Sequence, residues 1–355
     1  MKFYQILLIP VSFLYGIILL IRNLFFDFGL LTEKKFKTPI ISIGNLSTGG
    51  TGKTPHIEYL VRLLKENFNP SVLSRGYGRK SSGFILADET KNASDIGDEP
   101  LQIKNKYNNV VVAVCNSRVS GINKLLAAHP EIDTILLDDA YQHRYVKPGI
   151  SILLTDYSKL YANDFVLPSG NLREFSSGAS RADIIIVSKT PQIFSPLDRR
   201  FLTNKLNPKP YQKIFFSYTA YGDLVSLKTR KVSPFDKEYY FDKNFAILLI
   251  TGIANSANMV YYLENKSKEV RHIAFSDHYK YNQKDLEQIK NLFDNIAAQN
   301  KIIITTEKDA MRLAMPELKE ITEKLPIFYI PIEIKFHGQD EQTFNQHIVS
   351  YVKQN

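Results

Sequence analysis

Short apolar runs alternate with helical patterns along most of the chain. The runs at 40–43, 71–73, 110–114, 134–137, 150–154 and 184–187 are rich in Val and Ile and lack polar alternation. Such runs predict strands buried on both faces of a mostly parallel sheet flanked by helices. After the first run, Ile57, Leu60, Val61 and Leu64 recur at helical spacing. The texture changes after Thr190, where Pro191, Pro196, Pro208 and Pro210 punctuate a basic stretch. Segments 215–219 and 224–227, with Tyr221-Gly222-Asp223 between them, predict a small hairpin. A second α/β unit follows, with a strand at 245–250, helices carrying Met259, Val260 and Leu263 and then Leu286, Ile289, Phe293 and Ile296, and a strand at 302–304. The chain closes with an apolar run at 327–330 and a helix carrying Phe344, Ile348, Tyr351 and Val352. The expected organisation is an apolar N-terminal helix (1–30), a first α/β domain (31–213), a smaller α/β domain entered through the hairpin-like linker (214–330), and a C-terminal strand and helix packing back on the core (331–355).

From Ile6 to Phe28 the chain is strongly apolar, with Arg22 and Asp27 its only charges and Gln5, Pro10 and Ser12 as light interruptions. A signal peptide would need a small-residue cleavage site, and none follows. A spanning helix needs about 20 apolar residues, and 6–21 falls short of that. A buried core helix is a further reading. The pattern best fits a helix lying in one leaflet, with Tyr4, Tyr15 and Phe25 near the headgroups and Lys2, Arg22, Lys34, Lys35 and Lys37 on anionic lipid.

Composition narrows the picture only partly. A chain of 355 residues is comfortable for two domains. The net charge of +9 suits anionic partners (phosphates, nucleic acid or a bilayer surface) without choosing among them. The single cysteine, Cys115, follows an apolar run and reads as a buried strand residue. One cysteine allows no disulfide within the chain, which fits a reducing compartment. No Cys/His cluster has zinc spacing.

The chemistry concentrates in Ser47-Thr48-Gly49-Gly50-Thr51-Gly52-Lys53-Thr54, between the run at 40–43 and the helical pattern after it. A strand, a glycine-rich loop, Gly-Lys-Thr and a helix form the layout of a triphosphate cradle. Backbone N–H groups would line a concave anion site, Lys53 would reach the β- and γ-phosphates, and Thr54 would offer its hydroxyl to Mg²⁺. The usual pattern asks for Gly where this chain has Ser47; Gly49 and Gly50 supply backbone freedom nearby.

Other segments are ambiguous one by one. Asp138 and Asp139 end an apolar run, where an acid could hold Mg²⁺, although acids are common at strand ends anyway. Two adjacent carboxylates in a dry site need a cationic partner. Gln142 and His143 follow, either to orient phosphate or as ordinary surface groups. Asp98 in Gly97-Asp98-Glu99-Pro100 could accept a proton from an attacking hydroxyl or simply cap a helix. His278, after Asp277, carries the same ambiguity and could share that proton. Arg75, in a glycine-bearing loop with Tyr77, joins Arg118 and Arg144 near predicted strand ends, as phosphate ligands or as solvated charges. Segments 168–174 and 305–309 offer turn and capping chemistry.

Taken in order, Ser47 to Thr54, Arg75-Gly76-Tyr77-Gly78, Gly97-Asp98-Glu99-Pro100, Leu137-Asp138-Asp139-Ala140-Tyr141-Gln142-His143, the segment 168–174, Asp277-His278 and Thr306-Glu307-Lys308-Asp309 resemble the tetraacyldisaccharide 4′-kinase family, the membrane-associated lipid A kinases of Gram-negative bacteria. The resemblance covers nearly the whole chain, and Ser47 is where that family also leaves the general loop pattern. It implies a P-loop NTPase-like α/β fold with a second, smaller α/β domain. It implies transfer of the γ-phosphate of ATP, with Mg²⁺, to the 4′-hydroxyl of a tetraacylated glucosamine disaccharide 1-phosphate at the cytoplasmic face of the inner membrane. Asp98 then looks like the base, paired with His278. Lys53, Thr54, Asp138, Asp139 and Glu174 look like the phosphate and Mg²⁺ shell. Arg118 and Arg173 look like further catalytic cations, while Arg75, Tyr77, Gln142, His143 and Asn171 face substrate. Glu307, Lys308 and Asp309 resemble a segment closing over the nucleotide. The implied partners are the acylated lipid and the membrane surface, with no nucleic acid and no obligate protein partner.

Two rival classes fit less well. Membrane-targeting ATPases with a related loop carry a signature lysine before the two glycines, where this chain has Thr48. A nucleic-acid-binding protein would suit the charge, but no aromatic-basic or recognition-helix motif supports it.

Overall fold

The computed structural model describes residues 3–253, 255–277 and 279–355, without the side chains of Phe3 and Tyr4. Fourteen strands are formed among the described residues, in two sheets. They are β1 (Ile40–Asn45), β2 (Pro70–Ser74), β3 (Ile85–Leu86), β4 (Val111–Val114), β5 (Thr134–Asp138), β6 (Ile150–Asp156), β7 (Ile184–Ser188) and β8 (Lys213–Tyr221), then β9 (Val225–Ser226), β10 (Ala246–Thr251), β11 (Val270–Ala274), β12 (Lys301–Thr306), β13 (Ile327–Ile330) and β14 (Ile332–Phe336).

The first sheet runs in the order β14-β8-β7-β6-β1-β5-β2-β4-β3. From β8 to β4 every pair is parallel, and β3 adds an antiparallel edge. The unmixed Val/Ile runs have the expected cause, because both faces are covered. Ile41, Ile43, Val72, Val112, Leu136 and Ile152 pack one face with the helices Lys53–Leu64 and Asp340–Gln354. Ile40, Leu73, Ala113, Ile135 and Leu137 pack the other. β1 is central, and the chain winds to β2 on one side and, after β5, to β6 and β7 on the other. The carboxyl ends of β1, β2, β4, β5, β6 and β7 therefore share one edge, where such sheets bind ligands.

The chain forms two compact units. The first runs to Thr219 and resumes at Ile334; the second is Ala220–Glu333. The second has its own sheet, β11-β10-β12-β13-β9, with β9 antiparallel to β13. Its core gathers Leu248, Ile250, Leu286, Ile289, Phe293 and Ile303.

The expected hairpin at 215–227 does not form. β8 joins the first sheet parallel to β7, whereas β9 joins the second sheet. Phe215, Phe216 and Ser217 are buried in β8, so burial in the larger sheet outweighs the local turn signal. The turn residues mark a passage between units instead, a few residues beyond the boundary drawn from sequence.

The N-terminal segment forms helices Phe3–Leu7 and Ile9–Asp27. The second has 19 residues, enough to cross a bilayer by length and composition only. It docks on the first unit along a stripe of small and polar residues. Ser12 and Gly16 are buried, and a Cβ on Gly16 would lie 2.4 Å from the Phe175 ring. Ser169 N–H donates to Ser12 Oγ at 2.8 Å, and Arg144 donates to Asn23 O at 2.9 Å and pairs with Asp27 at 2.8 Å. The opposite side stays bare: Phe13, Leu14 and Ile18 are 61%, 63% and 59% exposed.

Candidate active site

β1 ends at Asn45 and the chain passes through 46–52 into the helix Lys53–Leu64. Gly52 makes the turn at φ 88°, a conformation strained for any side chain. The loop is pinned on all sides. Thr48 N–H and Oγ1 donate to Asn171 O at 2.7 and 3.2 Å, and Arg173 N–H donates to Leu46 O at 2.7 Å. Ser188 Oγ donates to Thr51 O at 2.8 Å, and the Lys189 ammonium donates to Gly50 O and, at 2.9 Å, to Asp156. His56 Nδ1 lies 2.7 Å from Gly52 O. Three successive carbonyls, those of Gly50, Thr51 and Gly52, are thus tied back to protein donors, the polarity an anion cradle requires. A Cβ built on Gly49 or Gly50 would meet nothing within 4 Å, so the loop opens onto free space.

The acid pair lies beside it, because β5 is the neighbour of β1 and Ile43 is in register with Asp138. Asp138 is buried; Ser74 Oγ donates to its Oδ2 at 3.4 Å, and its Oδ1 has no hydrogen-bond partner among the described residues. Burial, then the charges of Glu99 and Asp139, push its carboxyl up to about 7. Asp139 turns the chain at φ 47°. Arg173 clamps it with two nitrogens at 3.0 and 3.4 Å, and Lys53 Nζ stands 3.6 Å away. Burial would raise its pKa, but Lys53 and Arg173 outweigh it and hold Asp139 below the usual carboxylate range. Lys53 is also 3.4 Å from Asn45 Oδ1.

Asp98 opens the helix Asp98–Lys106. Its loop and the Arg75 loop pack backbone to backbone: a Cβ on Gly97 would lie 2.8 Å from Tyr77 O, and one on Gly76 would lie 2.8 Å from Ile96 O. This contact holds the Asp98-Glu99 turn near Asp138, whose carboxyl feels the Glu99 charge. Arg75 and Tyr77 are exposed on the same rim.

Other expected residues sit one layer back. Arg118 is 2% exposed and donates to the carbonyls of Cys115, Asn116, Asp138 and Asp139, so it braces the acid turn rather than reaching its mouth. Gln142 donates to Asn45 O at 2.9 Å and to Glu174 Oε1 at 3.1 Å, while its Oε1 accepts from Arg173 at 3.4 Å. Glu174, expected on the metal, is buried with its oxygens taken by Asn23 at 2.8 Å, Gln142, and Arg181 at 2.7 Å; these donors satisfy its charge without an ion. Asn171 serves the loop through its backbone, and its side chain donates to Asp164. His143 is half-buried; burial, then Arg118, Arg22 and Arg75, push it down to about 4. In the second unit, Asp309 accepts from Gly252 N–H, Thr306 Oγ1 and Arg312, a buried tie between β10 and β12 rather than an open ligand. Glu307 is buried at the start of the helix Glu307–Leu313, and Lys308 is its second residue. His278 lies outside the described residues. Sequence reasoning missed Asn45, Lys189, Ser188 and Asn23, none of which carries a local signature.

The class defined here is a phosphate-loop phosphotransferase. The loop's backbone is set for an anion, a lysine stands at the helix start, and a buried acid lies beside it with an oxygen that no hydrogen bond satisfies. Comparison with known proteins is specific: the family model for tetraacyldisaccharide-1-P 4′-kinase matches residues 4–353, and the chain belongs to that family. Tetraacyldisaccharide 4′-kinases of Bacteroides thetaiotaomicron and Flavobacterium johnsoniae are 46% and 44% identical, over 98% of this chain and 93% and 97% of theirs. A crystal structure of LpxK from Aquifex aeolicus in complex with ATP superposes with a TM-score of 0.73 at 27% identity, over 98% of this chain and 99% of that one.

Proposed function

We propose that this chain transfers the γ-phosphoryl group of ATP to the 4′-hydroxyl of a tetraacyldisaccharide 1-phosphate at a membrane surface. The observation that carries the reading is the loop at 46–53: its carbonyls are tied inward, and its lysine stands between Asn45 and the acid pair. Phosphoryl transfer asks the protein for positioning and charge neutralisation more than for covalent chemistry. Loop amides, the helix N-terminus and Lys53 would grip the terminal phosphates. Asp98 would take the proton from the attacking hydroxyl, with His278 as its partner.

Mg²⁺ fits the residues present. Asp138 offers a buried, unsatisfied oxygen next in sequence to Asp139, and Thr54, buried at the start of the helix after the loop, would add its hydroxyl. No cluster of three acidic, His or Cys ligands occurs among the described residues, so such an ion would share phosphate and water ligands, its ordinary habit. Bound there, it would neutralise charge on the transferring phosphate.

The helix Ile9–Asp27 supports a bilayer setting. Its tethers run from Ser12 to Asp27, so it lies along the protein body and presents its apolar side outward. That geometry favours a monotopic seat in one leaflet, at the cytoplasmic face of the inner membrane where ATP is available. The test is incubation with labelled ATP, Mg²⁺ and the acylated disaccharide phosphate in detergent, with and without chelator. Label should enter the lipid only when Mg²⁺ is present. Asp98→Asn should cut the rate by on the order of 10²–10⁴ with ATP binding retained. ATP turnover with an unlabelled lipid fraction would refute the kinase reading.

A further inference from the structure

The helix that faces outward with apolar side chains is joined to the phosphate loop by an unbroken line of hydrogen bonds. Asn23 Nδ2 donates to Glu174 Oε2 at 2.8 Å. Gln142 Nε2 donates both to Glu174 Oε1 at 3.1 Å and to Asn45 O at 2.9 Å. Asn45 is the last residue of β1, and its side chain contacts Lys53 and donates to Gly49 O at 3.4 Å. A branch leaves through Gln142 Oε1 to Arg173 and on to Asp139. A second contact reinforces the first, since Arg22 donates to the backbone carbonyl of Gln142.

We infer that Asn23 is a positioning residue, which holds Glu174 and through it Gln142 so that the loop and Asp139 are set more firmly while the helix is seated. The inference rests on the kinase reading above. Its physical basis is that Glu174 is buried, so solvent does not readily replace a lost donor. A buried carboxylate deprived of one partner is costly and shifts toward its remaining ones. Here those are Arg181 and Gln142, and Gln142 cannot follow without releasing Asn45. The helix is also fastened at Ser12, Gly16 and Asp27, and through Arg22 to the backbone of Gln142. Loss of Asn23 alone therefore leaves these fastenings while breaking the side-chain path through Glu174. A helix lifted from its seat on the protein would then be sensed at the phosphates without any change of fold.

The experiment compares the full chain with Asn23→Leu, Asn23→Gln, Glu174→Gln and the double variant Asn23→Leu/Glu174→Gln. Readouts are vesicle flotation, steady-state transfer to the acylated acceptor, and amide exchange of segments 9–27 and 45–54. Asn23→Leu should float like wild type, keep its KM for the acceptor within about twofold, and lose about tenfold in kcat, with several-fold faster exchange at 45–54. Asn23→Gln should recover part of kcat. The double variant should be no worse than the poorer single one, because both substitutions break one path. Wild-type kcat in Asn23→Leu, exchange altered only at 9–27, or multiplying losses in the double variant would each overturn the inference. The exchange readout needs no substrate. It therefore tests the tie even if wild type labels no lipid, an outcome that would refute the kinase reading instead.

Discussion

Replacing His56 by Gln should make the phosphate-loop helix less sensitive to acid and slightly weaker at alkaline pH. His56 is buried between the loop and β8, with Nδ1 2.7 Å from Gly52 O and Nε2 3.0 Å from Ser217 Oγ. A carbonyl accepts, so Nδ1 carries the hydrogen and Nε2 accepts from the serine hydroxyl; the ring serves both as a neutral group. Burial lowers its pKa from 6.5 to about 4, against the Gly52 hydrogen bond and with help from Lys189. That difference is worth roughly 3 kcal/mol in full. The folded pKa lies below the unfolded one, so this stability is present above pH 6.5 and is lost as pH falls toward 4. At pH 5 the loss relative to pH 8 is about 2 kcal/mol from this one group. Gln does not titrate, so the difference between wild type and variant isolates His56 from other titrating groups. The assay is amide exchange across 53–64 at pH 5 and pH 8, corrected for intrinsic rates. Wild type should lose about 2 kcal/mol more protection than the variant between the two conditions, while the variant gives up about 1 kcal/mol at pH 8 for its poorer hydrogen bonds. Equal pH dependence in both proteins would refute the assignment of a neutral, buried His56.

Asp138→Asn should reduce transfer by about 10² or more. The same substitution should make the protein more resistant to heat above pH 7 when measured without Mg²⁺ and nucleotide, because it removes a buried acid whose pKa burial pushes up to about 7; a lower melting temperature there would contradict the charge account. Gly16→Val places a side chain where a Cβ alone would lie 2.4 Å from the Phe175 ring, so the helix Ile9–Asp27 should lose about 1–3 kcal/mol of its seat. Faster exchange at 9–27 and easier proteolysis after it should follow, and wild-type protection would refute the docking.

The parallel sheet was legible because strands covered on both faces need no polar alternation, and β1, β5, β6 and β7 are mostly Ile, Leu and Val. The hairpin misled because Tyr221-Gly222-Asp223 signals a break without saying which sheet each flank joins. The docking stripe of the helix Ile9–Asp27 was present as Ser12, Gly16, Asn23 and Asp27, spaced four, seven and four along an otherwise apolar run. That spacing puts them on one side of a helix. They look like mere interruptions until a surface is there to receive them. Lys189 illustrates the opposite limit. A lone lysine after a strand has no signature, and only the neighbourhood of β6, β7 and the loop gives it Gly50 and Asp156 as partners. Glu174 and Asp309 were legible as acids in telling places but not as satisfied ones, since their donors come from 151 and 57 residues away, at Asn23 and Gly252.

The charges at the mouth suggest why the site can wait in a formed state. Lys53 is shared between Asn45 and Asp139, and Asp139 is shared between Lys53 and Arg173. An incoming phosphate competes with Asp139 for the lysine, and at this separation such a pair interacts by about 4 kcal/mol for an effective dielectric near 20. The acid would be left costly if it lost the lysine with nothing in exchange. Asp138, already strained by burial beside Glu99, deepens that cost. A phosphate without a cation therefore finds the lysine held, whereas a phosphate carrying one can take the lysine while both acids gain a counter-charge. The ion would thus offset the charge of the incoming phosphate beside the acids, and no side chain has to cross the site. Arg118 and Arg173 keep the acid turn fixed throughout, one from beneath through four carbonyls and the other through the Asp139 carboxylate. A preference for a metal-bound phosphate would thus follow from how the acids are buried.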